Sequence, residues 1–225
     1  MFRCNGCRVA FVVAVVTALS LALWSARSRA ADEAKSDSDT RKLFNGKDLS
    51  QFEGRMDVFR AEDGQIVGET KQGLKENEFL KSKMLVKDFR LTCKIKLVPD
   101  AANSGIQFRS VALPNSSEMR GYQADAGKGW WGTLYHESGR GQLWKQMPPE
   151  GTVKTDDWNT YEVVAVGHHI LTAINGVKCV DMEDKEGELE GRIAFQVHAG
   201  GPTEVRFKDF DLELDPKLEL KTLKK

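Results

Sequence analysis

The sequence predicts an all-β sandwich folded as one domain, and three observations carry that expectation. Apolar and polar residues alternate with a period of two, as in Leu91, Cys93, Ile95 and Leu97, which marks strands with one buried face. Turn pairs such as Asp63-Gly64 and Asn175-Gly176 separate the runs at hairpin spacing. Helical periodicity is hard to find after the N-terminal stretch, the one exception expected being a short turn near Asp48.

Taken in order, residues 1–30 read as a secretory signal peptide. Arg3 and Arg8 form a basic start, and Val9 to Leu23 is apolar but for Thr17 and Ser20. Ser28-Arg29-Ala30 supplies small residues for cleavage after Ala30. A membrane anchor is the alternative, but the run is short for a span. Cys4 and Cys7 precede the apolar run, so neither is a lipid-modified cysteine. The expectation is export to the periplasm or beyond, with no stable membrane insertion after cleavage.

Cleavage removes four arginines and no acid, so 33 basic against 33 acidic residues becomes 29 against 33. A mildly acidic exported domain lacks the basic footprint that nucleic-acid binding needs. Cys93 and Cys179 remain; an oxidising compartment permits a disulfide between them, and two buried thiols fit their strand positions equally well. No Cys/His spacing matches a zinc site.

Residues 31–41 are small and charged and read as a disordered leader. The domain is placed at 42–216, with a C-terminal tail at 217–225. Its strands are expected at Val58–Ala61, Gln65–Glu69, Phe79–Leu80, Phe89–Leu97, Tyr161–Val166, Ile170–Ile174, Val177–Val180, Gly191–His198 and Val205–Leu214, with more in the centre.

That centre, Asn103 to Glu137, carries the chemistry. Ile106 and Phe108 share one strand face, and Gln107 and Arg109 the other. Gln123 and Asp125 share a face opposite Ala124 and Ala126, while Tyr135 and Glu137 share a face opposite Leu134. Ordinary solvent faces carry Lys, Thr and Glu; here the polar face collects side chains that fix hydrogen-bond geometry. Gly121, Gly127, Gly129 and Gly132 punctuate it where turns or close ligand approach are expected. Later, Gln196 and His198 alternate with Ile193, Phe195 and Val197. On a curved sheet, one polar face would gather Arg109, Gln123, Asp125, Tyr135, Glu137, Gln196 and His198 as the floor of a groove.

These residues resemble the 3-keto-disaccharide hydrolase family. The resemblance rests on Leu43-Phe44-Asn45-Gly46-Lys47-Asp48-Leu49, Asn103-Ser104-Gly105-Ile106 with Arg109, and Gly121-Tyr122-Gln123. It continues through Trp158-Asn159-Thr160-Tyr161, Ile174-Asn175-Gly176, Gly191 to His198, and Val205 to Phe210. It implies a concanavalin-like jelly roll of two antiparallel sheets acting on carbohydrate outside the cytoplasm. One departure is visible. Many members follow the Gly-Tyr pair with glutamate and then, two residues on, glutamine, where this chain has Gln123 and Asp125.

The reaction implied is cleavage of a 3-keto-glycoside. The C3 ketone acidifies the C2 hydrogen, a base removes it, and the C1 substituent leaves; water then adds to the resulting glycal. Such a site needs a base, an enolate stabiliser and an acid. His198 or Glu137 is expected as base, Arg109 as oxyanion partner, and Tyr135 or Asp125 in proton transfer. A divalent metal on Asp125, Glu137 and His198 is the alternative Lewis acid. Gln107, Tyr122, Gln123 and Gln196 are expected to bind sugar, with either Trp130 or Trp131 stacking on a ring. A binding module without chemistry is the competing reading. A retaining glycosidase fits poorly, because no Glu-x-Asp-x-x-Glu run occurs.

Overall fold

The structure, a computed structural model, describes residues 28–35, 39–99 and 101–224, so most of the expected signal peptide lies outside the described residues. Among them the chain forms fourteen strands. In order these are β1 (Phe52–Glu53), β2 (Phe59–Glu62), β3 (Gln65–Thr70), β4 (Glu78–Val86), β5 (Phe89–Val98), β6 (Asn103–Ala112) and β7 (Met119–Gly127). There follow β8 (Leu134–Glu137), β9 (Gly141–Trp144), β10 (Asn159–Val166), β11 (His169–Ile174), β12 (Val177–Glu183), β13 (Gly191–Val197) and β14 (Thr203–Leu214). They build two antiparallel seven-stranded sheets, β1-β4-β13-β6-β7-β8-β9 and β12-β11-β10-β5-β14-β3-β2, a jelly-roll sandwich.

The core lies between the sheets. From β5 the alternation buries Leu91, Cys93, Ile95 and Leu97, as the sequence pattern requires. Facing them, the first sheet buries Ile106, Phe108, Ala124, Leu134, Ile193 and Phe195. Phe195 meets Phe207 with ring centroids 4.6 Å apart, and Phe89 meets Phe108 edge-on at 5.8 Å. Such aromatic pairs add roughly 0.5–1.5 kcal/mol beyond their buried area. The hairpin turns follow their chemistry: Asp63-Gly64 and Asn175-Gly176 have positive φ at both central positions, as type I′ turns demand.

Register shifts interrupt several strand pairs, and two of them carry a residue with left-handed backbone. In β14 the register against β5 shifts between Lys208 and Asp211, with Asp209 at φ 53°, so burial passes from Val205 and Phe207 to Leu212. In β6 the register against β7 shifts between Phe108 and Val111, with Arg109 at φ 46°. The second bulge removes Arg109 from the polar face on which simple alternation places it.

Other departures from the sequence reading are local. The turn expected near Asp48 is not helical: Asn45 Oδ1 accepts from the amides of Lys47 and Asp48, and Asp48 Oδ1 accepts from that of Ser50. Helix appears at residues 28–35 and 39–43, overlapping both ends of the stretch 31–41 that the sequence reads as a disordered leader. It docks on the sandwich because Asp39 and Thr40 accept hydrogen bonds from the Leu214 and Leu212 amides. The tail is anchored too, since buried Glu162 accepts from the amides of Lys221 and Thr222 and from the Thr222 hydroxyl. Cys93 and Cys179 are both free and buried, which decides between the two thiol readings.

Candidate functional site

The outer face of the first sheet carries the site. Residues directly opposite one another on neighbouring strands share a face. Gln107 in β6, Gln123 in β7 and Tyr135 in β8 form one such row, and Gly105 stands opposite Asp125 in the next. At one end of this face Asn103, Gln123, Asp125, Trp130, Tyr135, Glu137 and His198 line a cleft of about 170 Å³. Five of these seven, Asp125, Tyr135, Glu137, His198 and Gln123, are expected from strand parity; Trp130 is one of the two stacking candidates.

Asp125 forms the floor and is 3% exposed. Gln123 Nε2 donates to one carboxylate oxygen at 3.0 Å, and Thr133 Oγ1 donates to the other at 2.8 Å. Gly105 permits this, since a Cβ there would lie 2.5 Å from Gln123 Cγ, on the path the glutamine takes towards Asp125. Burial pushes the Asp125 carboxyl up to about 7, the two donors oppose that rise, and the charge of Glu137 adds to it. Burial also pushes Glu137 up to about 7, with the Glu118 carboxylate contributing. The Glu137 carboxyl has no hydrogen-bond partner among the described residues.

His198 Nδ1 lies 2.6 Å from the Ala199 carbonyl. A carbonyl only accepts, so Nδ1 carries the hydrogen and Nε2 of the neutral ring is left as an acceptor. The Ala199 amide in turn donates to Asn77, whose side chain and backbone amide donate to Glu118. Trp130 stands edge-on to Tyr135 with centroids 6.1 Å apart. Asn103 was not expected as a site residue; its Oδ1 is buried without a partner. Only its place at the head of the Asn-Ser-Gly motif, one strand across from His198, hinted at it.

Several expected residues stand elsewhere. Arg109 is fully buried and bridges the ends of the sheets: its guanidinium donates to the carbonyls of Lys87 and Gly167 and to the Asp88 carboxylate. The left-handed backbone at the bulge turned it there. Tyr122 lies on the core face, stacked on Phe108, with its hydroxyl donating to Asp184 at 2.5 Å. Its neighbours Gly121 and Gln123 face outward, so parity excludes it from the cleft. Trp131 joins the core, whereas Trp130 is partly exposed and lines the cleft. Gln107 and Gln196 lie on the correct face but are fully buried beside the cleft. Gln196 has no partner on either amide atom, and Gln107 none on Nε2.

Asp125, Glu137 and His198 share the cleft, yet no three His, Cys, Asp or Glu side chains among the described residues are gathered closely enough to hold a metal ion. The expected ligand set is therefore not assembled in this arrangement. No helix among the described residues is long and apolar enough to cross a membrane.

Residues 39–213 match the family described as the 3-keto-alpha-glucoside-1,2-lyase-like domain. No curated protein matches the chain. Among solved structures, a candidate glycosyl hydrolase from Parabacteroides distasonis is similar with a TM-score of 0.59 and 18% identity, over 77% of this chain and 93% of that one. A second candidate glycosyl hydrolase from that organism has a TM-score of 0.56 and 19% identity, over 76% and 97%. A carbohydrate-binding module from Bacillus subtilis, CBM66, has a TM-score of 0.50 and 14% identity, over 74% and 94%. At these identities the likeness is one of fold.

Proposed function

We propose, from the premise that this chain belongs to the 3-keto-alpha-glucoside-1,2-lyase-like domain family, that the cleft cleaves 3-keto-glycosides by elimination. The observation that carries the reading is the pair Asp125 and Glu137, two carboxyls pushed up to about 7 in one small cleft. Groups that titrate near neutrality exchange protons in either direction at working pH, which is what acid–base catalysis requires.

Their environments divide the roles. Asp125 accepts two hydrogen bonds that favour its anion, and it is the base that takes the C2 hydrogen. The electron pair of that C–H bond moves into an enolate on the C3 oxygen. As the enolate collapses, the C1=C2 bond forms and the C1–O bond breaks. Glu137, kept protonated by burial and by Glu118, gives its proton to the departing oxygen. Water adding to C1 then yields the free 3-keto sugar. With Arg109 outside the cleft, the donors that can meet the enolate are the Tyr135 hydroxyl and the Asn103 amide. His198 Nε2 accepts from a sugar hydroxyl and so orients the ring.

The position of the protein outside the cytoplasm, drawn from the sequence of residues 1–30, belongs to the same proposal. The test uses protein from Ala31 onward with a 3-keto-glucoside and its unoxidised parent in deuterated water. Release of the aglycone from the keto sugar alone, with deuterium entering C2, is expected. Asp125→Asn should abolish both, and Glu137→Gln should slow release more than exchange. Binding of sugar with cleavage of neither substrate would overturn the reading in favour of a carbohydrate-binding module, the second reading, which the fold shared with CBM66 supports.

A further inference from the structure

His198 stands where the ladder between two strands lapses. β4 and β13 pair as far as Glu78 and Val197, and backbone pairing resumes beyond them only at Leu74 and Gly200. His198 and Ala199 lie in that gap, and backbone groups left out of a ladder need other partners.

The segment from Gly73 to Asn77 supplies them. The Ala199 amide donates to Asn77 Oδ1 at 2.8 Å, which fixes the peptide between His198 and Ala199. The Gly200 amide donates to the Leu74 carbonyl at 2.9 Å, and the Leu74 amide donates to the Gly200 carbonyl at 2.9 Å. In a trans peptide the C=O and N–H point in opposite directions, so the first of these aims the Ala199 carbonyl away from Leu74. That carbonyl is the one lying 2.6 Å from His198 Nδ1. Close approach here requires a glycine: Gly73 has φ 81°, and a Cβ on it would lie 2.1 Å from the Gly200 carbonyl oxygen.

Asn77 is itself held. Its backbone amide and Nδ2 donate to the two oxygens of the Glu118 carboxylate at 3.2 and 3.3 Å, and its carbonyl accepts from the Ser117 hydroxyl at 2.6 Å. With Nδ2 given to Glu118, Oδ1 is the end that faces Ala199, so the side-chain amide has one orientation. The turn between β6 and β7 braces Asn77, Asn77 braces Ala199, and Ala199 orients the His198 ring. Neither Gly73 nor Asn77 lines the cleft, whereas His198 does.

Resting on the reading above that His198 Nε2 accepts from a sugar hydroxyl, we propose that Asn77 is a positioning residue for His198. It holds the ring's direction and its Nδ1–H tautomer without touching the sugar, and Gly73 and Glu118 keep it in place.

The test follows the ring nitrogens of His198 by NMR in alkaline buffer, on the chain from Ala31 onward, with their signals assigned by loss in His198→Gln. The wild type should carry its hydrogen on Nδ1 and leave Nε2 bare. Asn77→Ala and, independently, Gly73→Ala should let the Nε2–H tautomer appear. Asn77→Asp combined with Glu118→Gln rebuilds the contacts in reverse: the glutamine amide donates to the new carboxylate, whose other oxygen accepts from Ala199. That double variant should restore the wild-type tautomer. In turnover of a 3-keto-glucoside, Asn77→Ala should raise KM by roughly threefold to tenfold, the worth of one neutral hydrogen bond, with kcat little changed. The Nδ1–H form retained in both single variants, or no recovery in the double variant, would overturn the proposal. So would a lower kcat at constant KM, because the residue would then act on the chemical step and not on His198's hold of the sugar. If the tautomer responds as expected but the wild type cleaves no keto-glycoside, the elimination reading fails and the positioning of His198 stands.

Discussion

Replacing Asp125 by Asn should stabilise the protein in alkaline solution while removing its base. Asp125 is 3% exposed and its carboxyl is raised from 3.8 to about 7. An acid whose folded pKa is raised binds its proton more tightly in the native state than in the unfolded chain. Stability is therefore present at low pH and is lost as pH rises through the window from about 4 to about 7. Going from about pH 5 to about pH 8.5 crosses about two units of that window, at 1.36 kcal/mol per unit, or about 2.7 kcal/mol. Asparagine fits the same space: its Oδ1 can accept from Gln123 while its amide donates to Thr133 Oγ1, whose hydroxyl still bonds the Trp130 carbonyl. Urea and thermal unfolding of both proteins at the two pH values would measure the change. The variant should gain about 2–3 kcal/mol on the wild type between them, or roughly 5–10 °C in Tm for a chain of this size. A difference that stays constant with pH, or shrinks as pH rises, would refute the account of a buried and destabilising carboxylate.

Three further outcomes are expected. Cleavage of a 3-keto-glycoside should follow a bell-shaped pH profile centred near 7, falling on the acid side as Asp125 protonates and on the alkaline side as Glu137 ionises. A flat profile across that range would remove both from the chemistry. Gly105→Ala should push Gln123 off Asp125, costing about 1–3 kcal/mol in urea unfolding and moving the acid limb of the profile upward, because a donor that favours the anion is lost. Arg109→Met should destabilise by about 3–5 kcal/mol, since it strands two carbonyls and leaves the Asp88 carboxylate with only the Gly167 amide, while the kcat of the folded fraction stays unchanged. Loss of kcat without loss of stability would return Arg109 to the site.

The strands were legible because their periodicity is local. Leu91 to Leu97 alternates in the sequence and in the sandwich alike, and Asn175-Gly176 specifies its turn by backbone preference alone. The same parity groups Gln123 with Asp125 and Tyr135 with Glu137, so most of the cleft could be read from residue order. Short elements with little periodic content escaped it: β1 has two residues and β9 four.

What the tertiary structure decided is what depends on partners distant in sequence. Arg109 obeys parity only until the bulge after Phe108, and that bulge reflects how β6 pairs with β7 and β13. Asn103 enters the cleft because β13 brings His198 beside it, and Trp130 parts from Trp131 because a tight turn replaces the extended chain there. Acid–base character is likewise absent from the residue names. Asp125 and Glu137 are ordinary acids in the sequence; the desolvation that lifts both to about 7 comes from folding one sheet's outer face into a small cleft.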